Sequence, residues 1–212
     1  MKKLPILDLV FYLVIPLLIW NEGRDLIGDY YAILLSTVPG ILYTFYRFFV
    51  EKQFNVTGLF IITTMLIGAV VDLLSGDAEA MLWNNVYYGG GIGLFFLLSS
   101  LIRKPIAMYF SIDIAYLQGY ARQDSYMLYT KKGLFVYFQL LNLLFAFRSF
   151  TMSGLKAVLI ETYGVEQYDR ILFMMNVAGW IFTGIIFIAY IVVGKKTMEF
   201  VTRLQAAPDN AG

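Results

Sequence analysis

The chain has 212 residues, of which 59% are hydrophobic and only 15% are charged, and its formal net charge is +1. One water-soluble core cannot bury this much apolar surface, so the composition predicts a protein that is surrounded by lipid and gives no support for nucleic-acid binding. The sequence contains no Cys and no His, which excludes disulfides, thiolate or imidazole metal and haem sites, and Cys- or His-based catalysis. We therefore expect no metal, no cofactor and no enzymatic activity.

The first apolar run follows Lys2 and Lys3, an arrangement that a secretory signal peptide also has. Asp8 interrupts the run near its start, and no small-x-small cleavage site precedes the polar residues that come after it. We interpret residues 4–20 as an uncleaved membrane span, with Trp20 as its interfacial anchor.

Further apolar runs follow, each separated from the next by a polar segment. A length of about 20 residues suits the hydrocarbon core of a bilayer. Six such spans leave no room for a separate soluble domain, so residues 1–204 are predicted to form one transmembrane domain, and residues 205–212 a disordered tail. The six predicted spans are residues 4–20, 30–50, 56–74, 82–102, 133–148 and 171–193.

The segment between the fourth and fifth spans has a different pattern. Residues 106–122 place apolar side chains on one helical face and polar ones opposite, and they contain Asp113. They are too short and too polar for a comfortable span. The prediction is an amphipathic helix that lies in the membrane interface, with a re-entrant segment as the alternative.

The fourth span is rich in glycine. At helical spacing Gly89, Gly93 and Ser100 fall on one face, which predicts close packing against another helix. The glycine run does not form a dinucleotide-binding fingerprint, because Phe96 occupies the place of its third glycine and no strand precedes it.

Basic residues are distributed unevenly between the two sides of the predicted membrane. Twelve of the sixteen Lys and Arg residues lie on the side that holds both termini, which the positive-inside rule assigns to the cytoplasm. The other side holds Arg24, Arg148, Lys156 and Arg170. The twelve are Lys2, Lys3, Arg47, Lys52, Arg103, Lys104, Arg122, Lys131, Lys132, Lys195, Lys196 and Arg203.

Polar residues also gather at the predicted external end of the spans. A carboxylate inside an apolar span costs about 2.5–3.5 kcal/mol at its centre, so Asp72 should face protein and find a partner, for which Arg24 is suitably placed. The group is interpreted either as a structural ion pair or as a polar vestibule for a cation, proton or polar solute. Its members are Arg24, Asp25, Asp72, Asn84 and Asn85.

Gln139 and Asn142 are predicted to lie near mid-membrane on one face of the fifth span. Hydrogen bonding between helices is the simpler interpretation of such a pair, and the lining of a polar path is the alternative.

The first half of the chain resembles a known group of proteins. A second helix with Pro39, a third that ends in Asp72, and a glycine-rich fourth that closes with Ser99-Ser100-Leu101-Ile102-Arg103-Lys104-Pro105-Ile106 are similar to uncharacterised bacterial membrane proteins related to the intracellular septation protein A family. The resemblance covers about residues 5 to 110. It implies a polytopic inner-membrane protein linked to envelope or division processes, without an established reaction. A Trp-Lys-Pro-type stretch of that family is missing here, so no family site is transferred.

Two functions lead on this evidence, and an intramembrane enzyme comes third, since only carboxylates, Ser, Tyr and Lys remain as catalysts and no recognised spacing joins them. The first is a small-solute or ion transporter or channel in the bacterial inner membrane, with its polar vestibule outside. The second is a non-transporting scaffold or assembly factor that binds other membrane proteins, or further copies of itself, through its glycine-rich face or interfacial helix.

Overall fold

The computed structural model describes residues 4–52 and 54–206, and all of the regular structure within those ranges is helical. The connections between helices are short, and a 3-10 turn at Val165–Gln167 precedes the last helix. The helices are α1 (Leu4–Leu9), α2 (Ile15–Ile27), α3 (Asp29–Val50), α4 (Val56–Leu74), α5 (Ala78–Leu101), α6 (Ile106–Leu117), α7 (Arg122–Tyr129), α8 (Lys132–Tyr163) and α9 (Tyr168–Ala206).

Five helical segments are long and apolar enough to cross a membrane. A further pair, α5 and α6, meets the same condition only when taken together, and the two helices are bent by 86° at their junction. The all-helical prediction is confirmed, and five or six long apolar helices fit a polytopic membrane protein. The five segments are Ile6–Ile27, Asp29–Val50, Val56–Leu74, Lys132–Tyr163 and Val165–Gln205.

α1 and α2 are joined by a π turn at Val10–Val14. The cause is Pro16, which has no N–H to donate to the carbonyl four residues earlier, and whose ring crowds that carbonyl. In the π turn hydrogen bonds reach back five residues, as the bond from the Ile15 N–H to the Val10 carbonyl shows. The turn also lets Tyr12 pack tightly on Gly40 of α3, where an added Cβ would lie 3.0 Å from the Tyr12 ring.

The chain divides into two compact units. The first comprises Met1–Ile92 and Ser149–Trp180, and the second comprises Gly93–Arg148 and Ile181–Gly212. The core of the first contains Trp20, Ala32, Ile33, Ala78, Met81, Leu82, Leu159, Ile160, Tyr168 and Ile171. The core of the second contains Ala107, Met108, Ile112, Leu134, Phe138, Leu141 and Val193. That the chain forms one transmembrane domain stays a prediction.

Two helices extend beyond the predicted spans. α8 continues past residue 148 to Tyr163, because Leu159 and Ile160 are buried in the core of the first unit. α9 continues through Ala206, so the helix includes the first two residues of the predicted tail, and residues 207–212 lie outside the described ranges.

The segment predicted as one interfacial helix at residues 106–122 contains all of α6 and the first residue of α7. Gly119, with φ +95°, sits in the turn between them, a conformation that glycine adopts without steric cost. Seven of the twelve residues of α6 are buried, so most of its circumference is covered by protein. These seven are Ala107, Met108, Phe110, Ser111, Ile112, Asp113 and Ala115.

Candidate functional site around Asp72

Asp72 lies in the last turn of α4 and is buried, with 8% of its surface exposed. Its carboxylate accepts a hydrogen bond of 2.5 Å from the side-chain amide of Asn85 on α5. The same amide nitrogen donates to the Met81 carbonyl at 2.8 Å, which fixes its orientation. Asp72 and Asn85, both predicted site residues, are therefore in direct contact.

The end of α4 beside this carboxylate is held by polar side chains. Tyr30 of α3 donates its hydroxyl to the main-chain carbonyls of Asp72 at 3.3 Å and Leu73 at 2.9 Å, which satisfies acceptors that a helix end leaves free. Asn84 donates to the Ser75 hydroxyl at 2.9 Å. These contacts fix the α4–α5 connection and hold Asp72 in position.

A cation completes the group. Lys156 of α8 interacts electrostatically with Asp72, although their charged atoms are not within ion-pair contact. α5 and α8 run antiparallel here, since Leu82 packs in one cluster with Leu159 and since Gly89 abuts Ser153. This arrangement brings Lys156 level with the Asn85 turn of α5.

Tyr168 and Ser36 add two hydroxyls to the cluster. Tyr168 at the start of α9 interacts with the Ser36 hydroxyl on α3 and with the charge of Asp72. Both residues are buried. The site thus contains one carboxylate and one amine on separate helices among neutral hydrogen-bonding groups, and such an arrangement can hold and release a proton or bind a small cation.

Arg24 has partners other than Asp72. Its guanidinium donates to the Glu166 carbonyl at 2.6 Å, lies 3.4 Å from the Asp29 carboxylate, and covers the Trp20 ring at 4.7 Å. It joins the end of α2 to the start of α3 and to the 3-10 turn before α9. The sequence placed Arg24 beside Asp72, whereas in the structure the nearby cation is Lys156.

Asp25, the remaining predicted member, is 91% exposed on its side chain and lies 3.9 Å from Arg24. It makes no described contact with the Asp72 cluster. Of the five residues predicted from sequence, the structure places Asp72, Asn84 and Asn85 at the α4–α5 connection, and Arg24 and Asp25 at the α2–α3 junction.

The glycines of α5 differ in their surroundings. A Cβ added at Gly89 would overlap the Ser153 hydroxyl of α8, whereas one added at Gly90 or Gly91 would meet nothing within 4 Å. Gly93 is buried. Gly89 is therefore a position where two helices approach closely, as small-residue packing requires.

Ser100 belongs to a second polar group at the end of α5. Asn142 of α8, which is fully buried, donates to the hydroxyls of Ser99 and Ser100 at 2.8 Å each and to the Phe96 carbonyl at 2.7 Å. Gln139 donates to the Ser100 carbonyl at 3.2 Å. Gln139 and Asn142 thus both make hydrogen bonds between α8 and α5. These bonds lie beside the last turn of α5 and not at its middle.

Lys156, Tyr168 and Ser36 were not singled out from the sequence. The segment that contains Lys156 has many small and polar residues, a composition typical of a connection between spans, which places the lysine on the external side. The available signal was the short apolar run from Leu155 to Ile160, which at helical spacing continues the preceding span.

The helical architecture and the buried charges define this chain broadly, as an all-helical protein with the features of a polytopic membrane protein. Comparison with protein-family models, curated proteins and solved structures gives no match.

Proposed function

We propose that this protein is a six-span transporter or channel of the bacterial inner membrane that moves a small solute or ion past Asp72. Five single apolar helical segments and the bent α5–α6 pair supply the six spans. The burial of α6 favours the re-entrant alternative over the interfacial one for this helix.

The observation that carries the proposal is the opposition of Asp72 and Lys156 inside apolar helices. Isolated charges are costly in hydrocarbon, and charged side chains with a purely structural role tend to form direct ion pairs. Here the carboxylate is bonded to the neutral Asn85 amide and the amine stays out of contact. Each charge can therefore change its proton or ion occupancy without first breaking an ion pair.

The orientation follows from the same helices. Arg148 and Lys156 lie within α8, a segment apolar enough to span, so the predicted external side retains only Arg24 and Arg170. The excess of Lys and Arg on the other side supports cytoplasmic termini. The Asp72 cluster then lies toward the external ends of α4 and α5.

The test uses purified protein in liposomes with trapped fluorescent indicators for H⁺, Na⁺ and K⁺. We expect wild-type protein to raise the flux of at least one of these ions above that of protein-free liposomes, and Asp72→Asn to abolish the increase. Glu79→Gln is the matched control, because Glu79 is an exposed acid in the first turn of α5 and should leave flux unchanged. Equal flux from wild-type and Asp72→Asn protein would contradict the proposal.

A second function, a membrane scaffold linked to envelope or division processes, is favoured by one observation. Gly90 and Gly91 on α5 and Gly154 on α8 have nothing within 4 Å of an added Cβ, so small residues are left uncovered. Such positions suit contact with another helix, from a second copy or another membrane protein. Co-purification of a stable partner that is lost in Gly91→Leu, without any ion flux, would support this function over transport.

A further inference from the structure

A groove lies between α2 and α9 within the first compact unit. Its volume is about 310 Å³, and it is lined by Leu17, Asn21, Asp169, Arg170, Phe173 and Met174. These residues take no part in the Asp72 cluster. The groove is formed by one face of α2 and the first two turns of α9.

The lining changes from polar to apolar along the helices. Asn21, Asp169 and Arg170 lie where α2 approaches its end and α9 begins, and Phe173 and Met174 lie one turn further into α9. Leu17 lies one turn before Asn21 on α2. The groove therefore has a charged rim at one end and an apolar floor leading into the apolar part of both helices.

The two charges at the rim are opposite and adjacent. Among the described residues neither the Asp169 carboxylate nor the Arg170 guanidinium has an ion-pair partner, and Arg170 only approaches the Tyr163 ring at 5.7 Å. A cation in the first turn of a helix is disfavoured by the helix dipole, so nothing within α9 accounts for an arginine at this position. Both charges are available to an outside ligand.

We propose that this groove binds one phospholipid with an ethanolamine headgroup. Arg170 contacts the phosphate, for which guanidinium is the preferred donor, and Asp169 with the Asn21 amide oxygen accepts hydrogen bonds from the ammonium group. The acyl chain lies along Leu17, Phe173 and Met174. Charge complementarity selects this lipid: a purely anionic headgroup would face Asp169, and a choline headgroup offers no N–H donor.

The experiment measures lipid retained by the protein purified from nanodiscs that contain equal amounts of phosphatidylethanolamine, phosphatidylcholine and phosphatidylglycerol. We expect phosphatidylethanolamine to be enriched over both others in wild-type protein. Arg170→Gln removes the phosphate contact and should reduce its retention about tenfold, the effect expected for one charge-assisted hydrogen bond.

Two further variants make the result specific. Arg203→Gln removes an exposed cation from the far end of α9 and should leave retention unchanged. Met174→Trp fills the apolar floor and should lower retention of phosphatidylethanolamine with the rim charges intact. No enrichment of phosphatidylethanolamine, enrichment of phosphatidylglycerol instead, or equal losses in Arg170→Gln and Arg203→Gln would each overturn the proposal.

Discussion

The Asn142 side-chain oxygen accepts a hydrogen bond of 3.0 Å from the Ala107 backbone N–H, so a residue of α8 caps the first turn of α6. The amide nitrogen of Asn142 donates to the last turns of α5 at the same time. One side chain thus forms hydrogen bonds on both sides of the break between α5 and α6. In an apolar surrounding, where backbone groups at a break have no water to bind, this explains how the 86° bend is held.

Asn142→Leu keeps the volume of the side chain but leaves the Ala107 N–H without its partner. We expect a loss of about 1–3 kcal/mol in the free energy of unfolding, the usual cost of one unsatisfied buried group. Unfolding of the detergent-solubilised protein measures the change. Gln123→Leu, at an exposed site on α7, is the control. Equal stability of the two variants would contradict this role of Asn142.

Arg103 lies two residues after the end of α5 and has a left-handed backbone, φ +56°. The Lys104 N–H bonds the Ser99 carbonyl and the Arg103 N–H bonds the Ser100 carbonyl, which is the Schellman pattern that usually has glycine at this place. Arg103→Gly removes a steric cost of about 1–2 kcal/mol, partly offset by the flexibility of glycine in the unfolded chain. We expect a net stabilisation of about 0.5 kcal/mol. Lys104→Gly should give no gain, and a less stable Arg103→Gly protein would refute the account.

Gly89→Val places a branched side chain where the Ser153 hydroxyl of α8 already lies. We expect a destabilisation of about 1–3 kcal/mol, the usual effect of overpacking, measured by thermal unfolding in detergent. Gly90→Val introduces the same residue into open space one position along the helix and should change stability much less. Adding Ser153→Gly to Gly89→Val should restore part of the loss. If Ser153→Gly restores no stability, the contact between Gly89 and Ser153 does not set how closely α5 and α8 approach.

Asp113 of α6 is buried, with 3% of its side chain exposed, and pairs at 3.2 Å with Arg122, which is 44% exposed and also covers the Tyr116 ring. Arg122→Gln removes the positive charge beside this buried carboxylate and should lower the free energy of unfolding by roughly 1–3 kcal/mol. The loss is smaller than for a fully buried pair because Arg122 is partly exposed. The double variant Asp113→Asn, Arg122→Gln should be more stable than Arg122→Gln alone. A double-mutant cycle of unfolding free energies measures this, and additive losses would exclude the coupling.

The long apolar helices could be predicted from the sequence, because their hydrophobic runs have the length that a bilayer requires. The lengths of α8 and α9 could not, since their outer parts depend on tertiary packing. Leu159 and Ile160 are buried only because other helices cover them. The small and polar residues around Ser153 and Gly154 indicate a loop as long as the packing of the other helices against this segment is unknown.

The same limit applies to the candidate site. Asp72 can be predicted as a site residue because a carboxylate in an apolar run is costly, and Asn85 because it follows at the start of the next helix. The partner charge came from α8, far along the chain, and its height depended on how α5 and α8 align. The alignment of two helices cannot be predicted from residue spacing along the sequence. The sequence therefore predicts Arg24 as the cation near Asp72, whereas the structure has Lys156 there.

The π turn at Val10–Val14 contains one residue more than an α-helical turn would need to connect the same two flanking helices. If Pro16 is also replaced, so that an α-helical turn can form, the N-terminal helix can lose a residue at this point while Asp8 and Trp20 keep the directions in which they face. A deletion one or two turns further along α2 would instead rotate Trp20 and Arg24 away from Tyr168 and Glu166. Tolerance to changes in chain length should thus be concentrated next to Pro16.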